Sequence, residues 1–374
     1  MKKSIFICLL NAVLIFSFTS VAHSEWTIIQ ITDNSSADEW PQINNSGYVV
    51  WKGFDGPDND IFLYDGINST QLTNNAYGDY SPQINDNGHV VWIGWDVSDY
   101  EIFLYDGTST TQLTANSYDD EWPQINDNGH VVWQGYDGSD NEIFLYNGTN
   151  TTQLTANSYD DEWPQINDNG HVVWQGYDGS DNEIFLYDGT NTTQLTNNSY
   201  FDGYPHINND GYVVWYGWDV SDSEIFLYDG TSTIKLTDNI FFDQLPYINN
   251  DGFVVWEGYD GSDGEIFFYD GTNTTQLTNN SYADERPQIN DDGHVVWVGY
   301  YDGSDGEIFF YDGTSTTQIT DNSYSDWLPQ INDNDHVVWM GYHDGSDSEI
   351  FLAKPLPPPI VKAMPWIPLL LLDD

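Results

Sequence analysis

Residues 123–155 read PQINDNGHVVWQGYDGSDNEIFLYNGTNTTQLT, and this stretch decides the fold. Four short β-rich runs stand out: Pro123-Gln-Ile-Asn126, His130-Val-Val-Trp133, Glu142-Ile-Phe-Leu-Tyr146 and Thr152-Gln-Leu-Thr155. Between them lie Asp127-Asn-Gly129, Gly135-Tyr-Asp-Gly-Ser-Asp-Asn141 and Asn147-Gly148, which are turn signals, and no helical periodicity intervenes. Four runs joined by three turns make one four-stranded antiparallel sheet.

The stretch is one copy of eight. Prolines recur at Pro41, Pro82, Pro123, Pro164, Pro205, Pro246, Pro287 and Pro329, 41 residues apart except for 42 in the last interval. The Val-Val-Trp and Ile-Phe-Leu-Tyr runs are continuously apolar, which suits sheets covered on both faces. Blades stacked around an axis cover each other in this way, and about 40 to 45 residues is the usual size of a propeller unit. The expected fold is therefore all-β, an eight-bladed β-propeller of four-stranded antiparallel blades. An open solenoid is the alternative, and the chain ends argue against it. Thr27–Thr32 is a lone fourth-strand segment, while the last unit stops after Glu349-Ile-Phe-Leu352. The N-terminal strand is expected to complete the last blade, which leaves no unpaired edge at the seam.

The order Gln-Leu-Thr, an Asp three residues before Pro, an apolar strand and Asp-Gly-Ser-Asp-x-Glu-Ile-Phe-Leu-Tyr resembles the repeat of TolB-like propellers over residues 27–352. The first turn departs from that family, with Ile125-Asn-Asp-Asn-Gly129 where Ser-Pro-Asp-Gly is common. The resemblance implies a propeller of a kind found in periplasmic protein-binding components and beside peptidase domains, and implies little about ligand.

Residues 1–24 read as a secretory signal: Lys2 and Lys3, an apolar stretch over 5–18, and Ala22-His23-Ser24 before the cleavage point. Residues 25–353 are the propeller, and 354–374 are a proline-rich linker with a short apolar tail, read either as a sorting or docking peptide or as a segment folded on the propeller. The expected location is the periplasm, the cell surface or the medium. Cys8, inside the signal, is the single cysteine, so the exported chain has no disulfide, thiolate metal site or thiol nucleophile. With 60 acidic against 7 basic residues the net charge is −53, which repels nucleic acid and anionic lipid and leaves cations, cationic partners and neutral glycans. A monomer is expected.

Two sets of residues are candidates for function. The second-to-third-strand loops carry Asp-x-x-Asp-x-acid in every unit, including Asp137, Asp140 and Glu142, and Asp178, Asp181 and Glu183. Such carboxylates either supply oxygen ligands to calcium or cap loop amides as Asx turns. The second set precedes each proline: Trp40, Ser81, Trp122, Trp163, Tyr204, Leu245, Arg286 and Leu328, with Trp327 one residue earlier. Variable, large side chains beside amides suit a glycan- or peptide-binding rim, and packing between blades is the competing reading. The Asp three before each proline (Asp38, Asp120 and equivalents) is expected to be a blade-joining turn element. The tryptophans of Val-Val-Trp are expected in the core.

Catalysis needs one asymmetric constellation of groups. Residues 115–155 and 156–196 differ only at Asn147 against Asp188. The expectation is a noncatalytic binding or scaffolding propeller for an envelope protein or a glycan. The alternative is a metal-dependent carbohydrate-active enzyme, a lyase or hydrolase on the same face.

Overall fold

A computed structural model describes residues 26–301, 305–342 and 347–357. The expected signal over 1–24 and the tail beyond 357 fall outside the described residues, as do Asp302, Asp344 and His343.

The chain forms eight four-stranded antiparallel sheets. In blade 3 the strands are Asp120–Ile125, Val131–Tyr136, Asn141–Tyr146 and Thr151–Gln153, in that order from the axis outward. The other blades repeat this pattern. Blade 8 differs as the sequence predicts: Asp326–Ile331, Val337–Tyr342 and Ser348–Pro355 are completed by Trp26–Gln30. The closing register pairs Trp26 with Pro355 and Gln30 with Phe351. The all-β, eight-bladed, N-terminally closed propeller is thus what the chain adopts.

Blades pack through the apolar runs. Val132, Ile143, Val172 and Trp174 form one cluster between blades 3 and 4, and the same combination recurs around the ring. The eight tryptophans of Val-Val-Trp are at most 1% exposed. Each lies 5.7–5.9 Å from the Phe ring on the neighbouring strand, at 11–16° between planes. Removing one such side chain costs about 3–5 kcal/mol by the usual cavity arithmetic.

A buried indole needs a partner for its N–H, and here the Asp three before the proline supplies it. In all eight blades the Trp Nε1 donates to this Asp at 2.8–3.0 Å. Its other oxygen accepts from an Asn side chain in the blade-joining loop at 2.5–2.9 Å. The residue therefore opens the innermost strand rather than sitting in the loop, and it fastens that loop to the core. Burial pushes most of these carboxyls up to about 6 and Asp202 to about 7.

The Asp fits only because the second strand carries glycine opposite it. A Cβ on Gly135 would lie 2.1 Å from Asp120 Oδ1 and 3.1 Å from the Phe144 ring. Gly135→Ala is expected to destabilise the fold by about 1–3 kcal/mol, the range for overpacking a filled core. Urea denaturation measures this directly, and an unchanged midpoint would contradict the packing described.

Two closed rings of hydrogen bonds line one end of the axial channel. Asn44 Nδ2 donates to the Asn85 carbonyl, Asn85 to Asn126, and so on through Asn332, which donates back to Asn44, all at 2.8–3.1 Å. In the second ring each backbone N–H at the next position donates to the side chain of the following blade, from Asn45 to Asp86 and around to Asp333 and Asn45, at 2.7–2.9 Å. Blade 8 thus joins blade 1 by the same bonds as any other pair.

Candidate functional site

The other end of the channel is a funnel of about 400 Å³, lined by the residues that precede the prolines, the prolines themselves and the residues after them. Its position follows from local chemistry. Proline has no N–H to give to a ladder, so the innermost strand bulges there; in blade 3 the register shifts between Glu121 and Gln124. The side chain before the proline is thereby turned out of the sheet and into the channel mouth.

All eight residues at this position are in the left-handed region, with φ between 51° and 58°. None is glycine. Pre-proline sterics and a Cβ both oppose such a conformation, at about 1–3 kcal/mol per residue. Glycine would relieve this strain, yet five of the eight positions carry Trp, Tyr or Arg.

The funnel is lopsided. In blades 3 to 5, Trp122 and Trp163 lie with ring centroids 4.3 Å apart, Trp163 and Tyr204 5.4 Å, and Tyr204 and Tyr216 5.5 Å. Phe201 extends the ladder at 5.7 Å from Tyr216. Trp122 is 39% exposed, and Trp40, in blade 1, is 53% exposed. Across from the ladder stand Leu245, Arg286 and Leu328, and Ser81 leaves a gap between Trp40 and Trp122. Neighbouring blades set the backbone: Trp163 N donates to Gln134 Oε1 and Tyr204 N to Gln175 Oε1, both at 3.1 Å.

The structure therefore brings Trp40, Trp122, Trp163, Tyr204 and Arg286 into one ring and leaves Trp327 out of it. Trp327 pairs with Met340 on the adjacent strand and packs edge-on to Tyr300 at 5.7 Å, in a separate surface depression. The side chain one residue earlier lies on the other side of the strand, which sequence proximity to the proline does not reveal. Two further lining residues escaped the sequence reading of the rim. His206 and Tyr247 replace the glutamine that follows the proline elsewhere, and their rings lie 4.3 Å apart in the funnel wall. Desolvation holds His206 down at about 4, so it stands neutral at neutral pH. The signal was available: His206 is a singular residue at a repeated position.

The acidic loops combine a capping aspartate with a group of converging carboxylates. The first Asp caps its loop: Asp137 Oδ1 accepts from Ser139 N at 3.0 Å and from Ser139 Oγ at 2.7 Å, and Asp178 does the same with Ser180. The remaining carboxylates converge. In blades 2, 3 and 4 one oxygen from each of Asp96, Asp99 and Glu101, of Asp137, Asp140 and Glu142, and of Asp178, Asp181 and Glu183 lies within 4.8 Å of the other two in its set. The glutamates are fully buried, and burial pushes Glu101 and Glu142 up to about 7. The histidines at the shared repeat position, such as His89 beside the turn glycine Gly129, pack against the next blade.

Comparison with solved structures fits this geometry. The chain aligns with the β-propeller domain of the trilobed protease of Pyrococcus furiosus at 14% identity and a TM-score of 0.55, over 77% of this chain and 99% of that domain. It aligns with an acylaminoacyl peptidase of Pyrococcus horikoshii at 12% identity and a TM-score of 0.53, over 82% of this chain and 58% of the peptidase. A prolyl endopeptidase matches at 11% identity and a TM-score of 0.57, over 83% and 55%. The chain shares its fold with the propeller domains of peptidases. It spans a little over half the length of those two peptidases, and at these identities the likeness is one of fold alone. The P. furiosus domain is described as having an open velcro topology, whereas here the N-terminal strand closes the ring. No protein-family model matches the chain, and no curated protein matches it in sequence.

Proposed function

We propose that the chain is an exported, noncatalytic propeller of the TolB-like kind whose funnel mouth binds a neutral glycan. The observation that carries this is the aromatic ladder of Trp122, Trp163 and Tyr204, held at the channel mouth on strained backbone. Strain kept where glycine would remove it points to a use for the side chains. Sugar rings stack on aromatic faces, and the glutamines after the prolines add hydrogen bonds. A chain of net charge −53 disfavours polyanionic glycans. Among the described residues the funnel lining is aromatic, aliphatic and amide-bearing, with Arg286 as its one charged group.

Neutral oligosaccharides titrated against intrinsic tryptophan fluorescence test the proposal. Saturable binding is expected, with at least a tenfold loss in Trp163→Gly, equivalent to about 1.4 kcal/mol. Glycine suits the left-handed backbone, so this variant is expected to melt at or above the wild-type temperature, which separates binding from folding. No binding across the panel, or binding indifferent to Trp163→Gly, contradicts the glycan reading. Turnover of any member supports the metal-dependent enzyme instead, and capture of an envelope protein lost in Trp163→Gly supports a protein ligand.

A further inference from the structure

The acidic clusters in the second-to-third-strand loops differ from an ordinary solvated acidic surface in two ways. First, part of each cluster is buried and short of partners. In blade 2, Asp99 is 5% and Glu101 0% exposed, and neither Asp99 Oδ2 nor Glu101 Oε2 has a hydrogen-bond partner. In blades 3 and 4, Glu142 and Glu183 are 0% exposed; Glu142 faces the Thr155 hydroxyl and the Asn157 N–H, and Glu183 Oε2 has no partner. The other oxygen of Glu101 and of Glu183 accepts from an Asn backbone N–H at 3.0 and 2.8 Å, whereas in blade 5 both oxygens of Glu224 are served, by Thr237 and Asn239 at 2.6 and 3.0 Å. A buried carboxylate oxygen without a donor is costly, and three converging on one point are more so.

Second, one blade sets a cation of its own against two of the equivalent acids. The outermost strand ends in glutamine in most blades, at Gln112, Gln153 and Gln194 for example, but blade 5 has Lys235 there. Its ammonium lies 2.8 Å from Asp219, 3.3 Å from Glu224 and 2.7 Å from Asp238. Asp219 and Glu224 match the first and third acids of the other clusters, so this pair accepts a positive charge, while Asp238 stands where blades 2 to 4 have Ala115, Ala156 and Asn197.

We infer that the clusters of blades 2, 3 and 4 each bind a divalent cation of the calcium class at the place where Lys235 puts its ammonium in blade 5. The donors are all oxygen: two aspartates and a glutamate per site, with the loop serine hydroxyl beside them. Hard, oxygen-preferring cations with flexible coordination match that set, and metals that favour nitrogen or sulfur do not. The second strand places the glutamate rigidly, since Glu142 is paired with Gly135 in the ladder, while the loop can adjust its aspartates to the ion. Blade 5 needs no ion.

Isothermal titration of calcium chloride into metal-stripped full-length protein, in 150 mM potassium chloride to screen diffuse binding, tests the inference through stoichiometry. Lys235→Gln gives blade 5 the glutamine of its neighbours, frees Asp219 and Glu224, and is expected to bind one calcium more than wild type. Gln153→Lys gives blade 3 its own ammonium and is expected to bind one fewer. Circular dichroism establishes that each variant is folded, and either variant alone suffices if the other is not. Absence of saturable binding, or a stoichiometry unchanged by the folded variants, overturns the inference.

Discussion

A chain lacking residues 26–34 is expected to lose most of its stability and to associate through its open edge. The segment pairs with residues 351–355 of the Ser348–Pro355 strand, and it adds bonds beyond that ladder: Ile31 N donates to the Ile350 carbonyl at 2.8 Å, Ile350 N to Thr32 Oγ1 at 2.9 Å, and Asn34 N to Glu349 Oε1 at 2.9 Å. Ile29 and Ile31 pack on the cluster of Leu352, Val338 and Trp51, and Trp26 meets Phe310 edge-on at 5.0 Å. At about 1 kcal/mol per hydrogen bond and about 1.5–3 kcal/mol per buried large apolar side chain, the loss is on the order of 10 kcal/mol, comparable with the entire stability of a typical fold. The uncovered strand is also apolar and unpaired, a template for association. Trp26 stands opposite Pro355, so a permuted chain that joins Pro355 to Trp26 through a two-residue Asn-Gly turn is expected to restore a wild-type melt. Size-exclusion chromatography and thermal denaturation read both outcomes. A truncated chain that remains monomeric with an unshifted melt would show that the seam contributes little.

The fold is also expected to be more stable in mild acid than at neutral pH, measured in chelator. The aspartates that bind the core indoles have folded pKa values raised by burial to about 6, against an ordinary 3.8, and Asp202 to about 7. A group whose proton is held more tightly in the folded state contributes stability below its unfolded pKa and loses it as pH rises through the folded value. These aspartates therefore favour folding most below about pH 4, with the loss spread over roughly pH 4 to 7. Repulsion within a chain of net charge −53 acts in the same direction. Asp137, Asp178 and Asp229 act oppositely: hydrogen bonds to the ionised form hold their pKa values down, so their contribution is lost as pH falls below the ordinary carboxylate range. The melting temperature is expected to rise by on the order of 10 °C between pH 8 and pH 5 and to fall again in stronger acid. A monotonic fall from pH 8 downward would contradict aspartates that hold a proton more tightly in the folded state than in the unfolded one.

The propeller was legible because repetition multiplies weak signals. No single Val-Val-Trp run distinguishes a buried strand from a helix segment, but eight copies at a fixed spacing, with turn residues at fixed offsets, leave one architecture. The seam was legible for the same reason, since Thr27–Thr32 matches a fourth strand that has no blade before it. What repetition hides is direction. The aspartate before Trp122 and Pro123 is in every unit, and spacing alone suggested a turn, whereas Asp120 reaches across the sheet to an indole 13 residues on. Trp327 and Leu328 are neighbours in sequence, and the bulge at the proline sends only Leu328 to the mouth. The left-handed backbone at that position has no sequence signature, because eight non-glycine residues, seven of them bulky, stand where glycine is the usual mark of such a conformation. In the acidic loops the spacing revealed the carboxylates but not their convergence, and Lys235 carries no mark in the sequence of the contact its ammonium makes with two of them and with Asp238.

The central claim is that function lies where the blades differ, at the aromatic side of the funnel. Hydrogen exchange with a bound neutral oligosaccharide tests it most directly. The account predicts new protection confined to the innermost strands of blades 3 to 5, Asp120–Ile125, Asp161–Ile166 and Asp202–Ile207. Protection spread evenly over all eight blades, or located on the outermost strands, would contradict it.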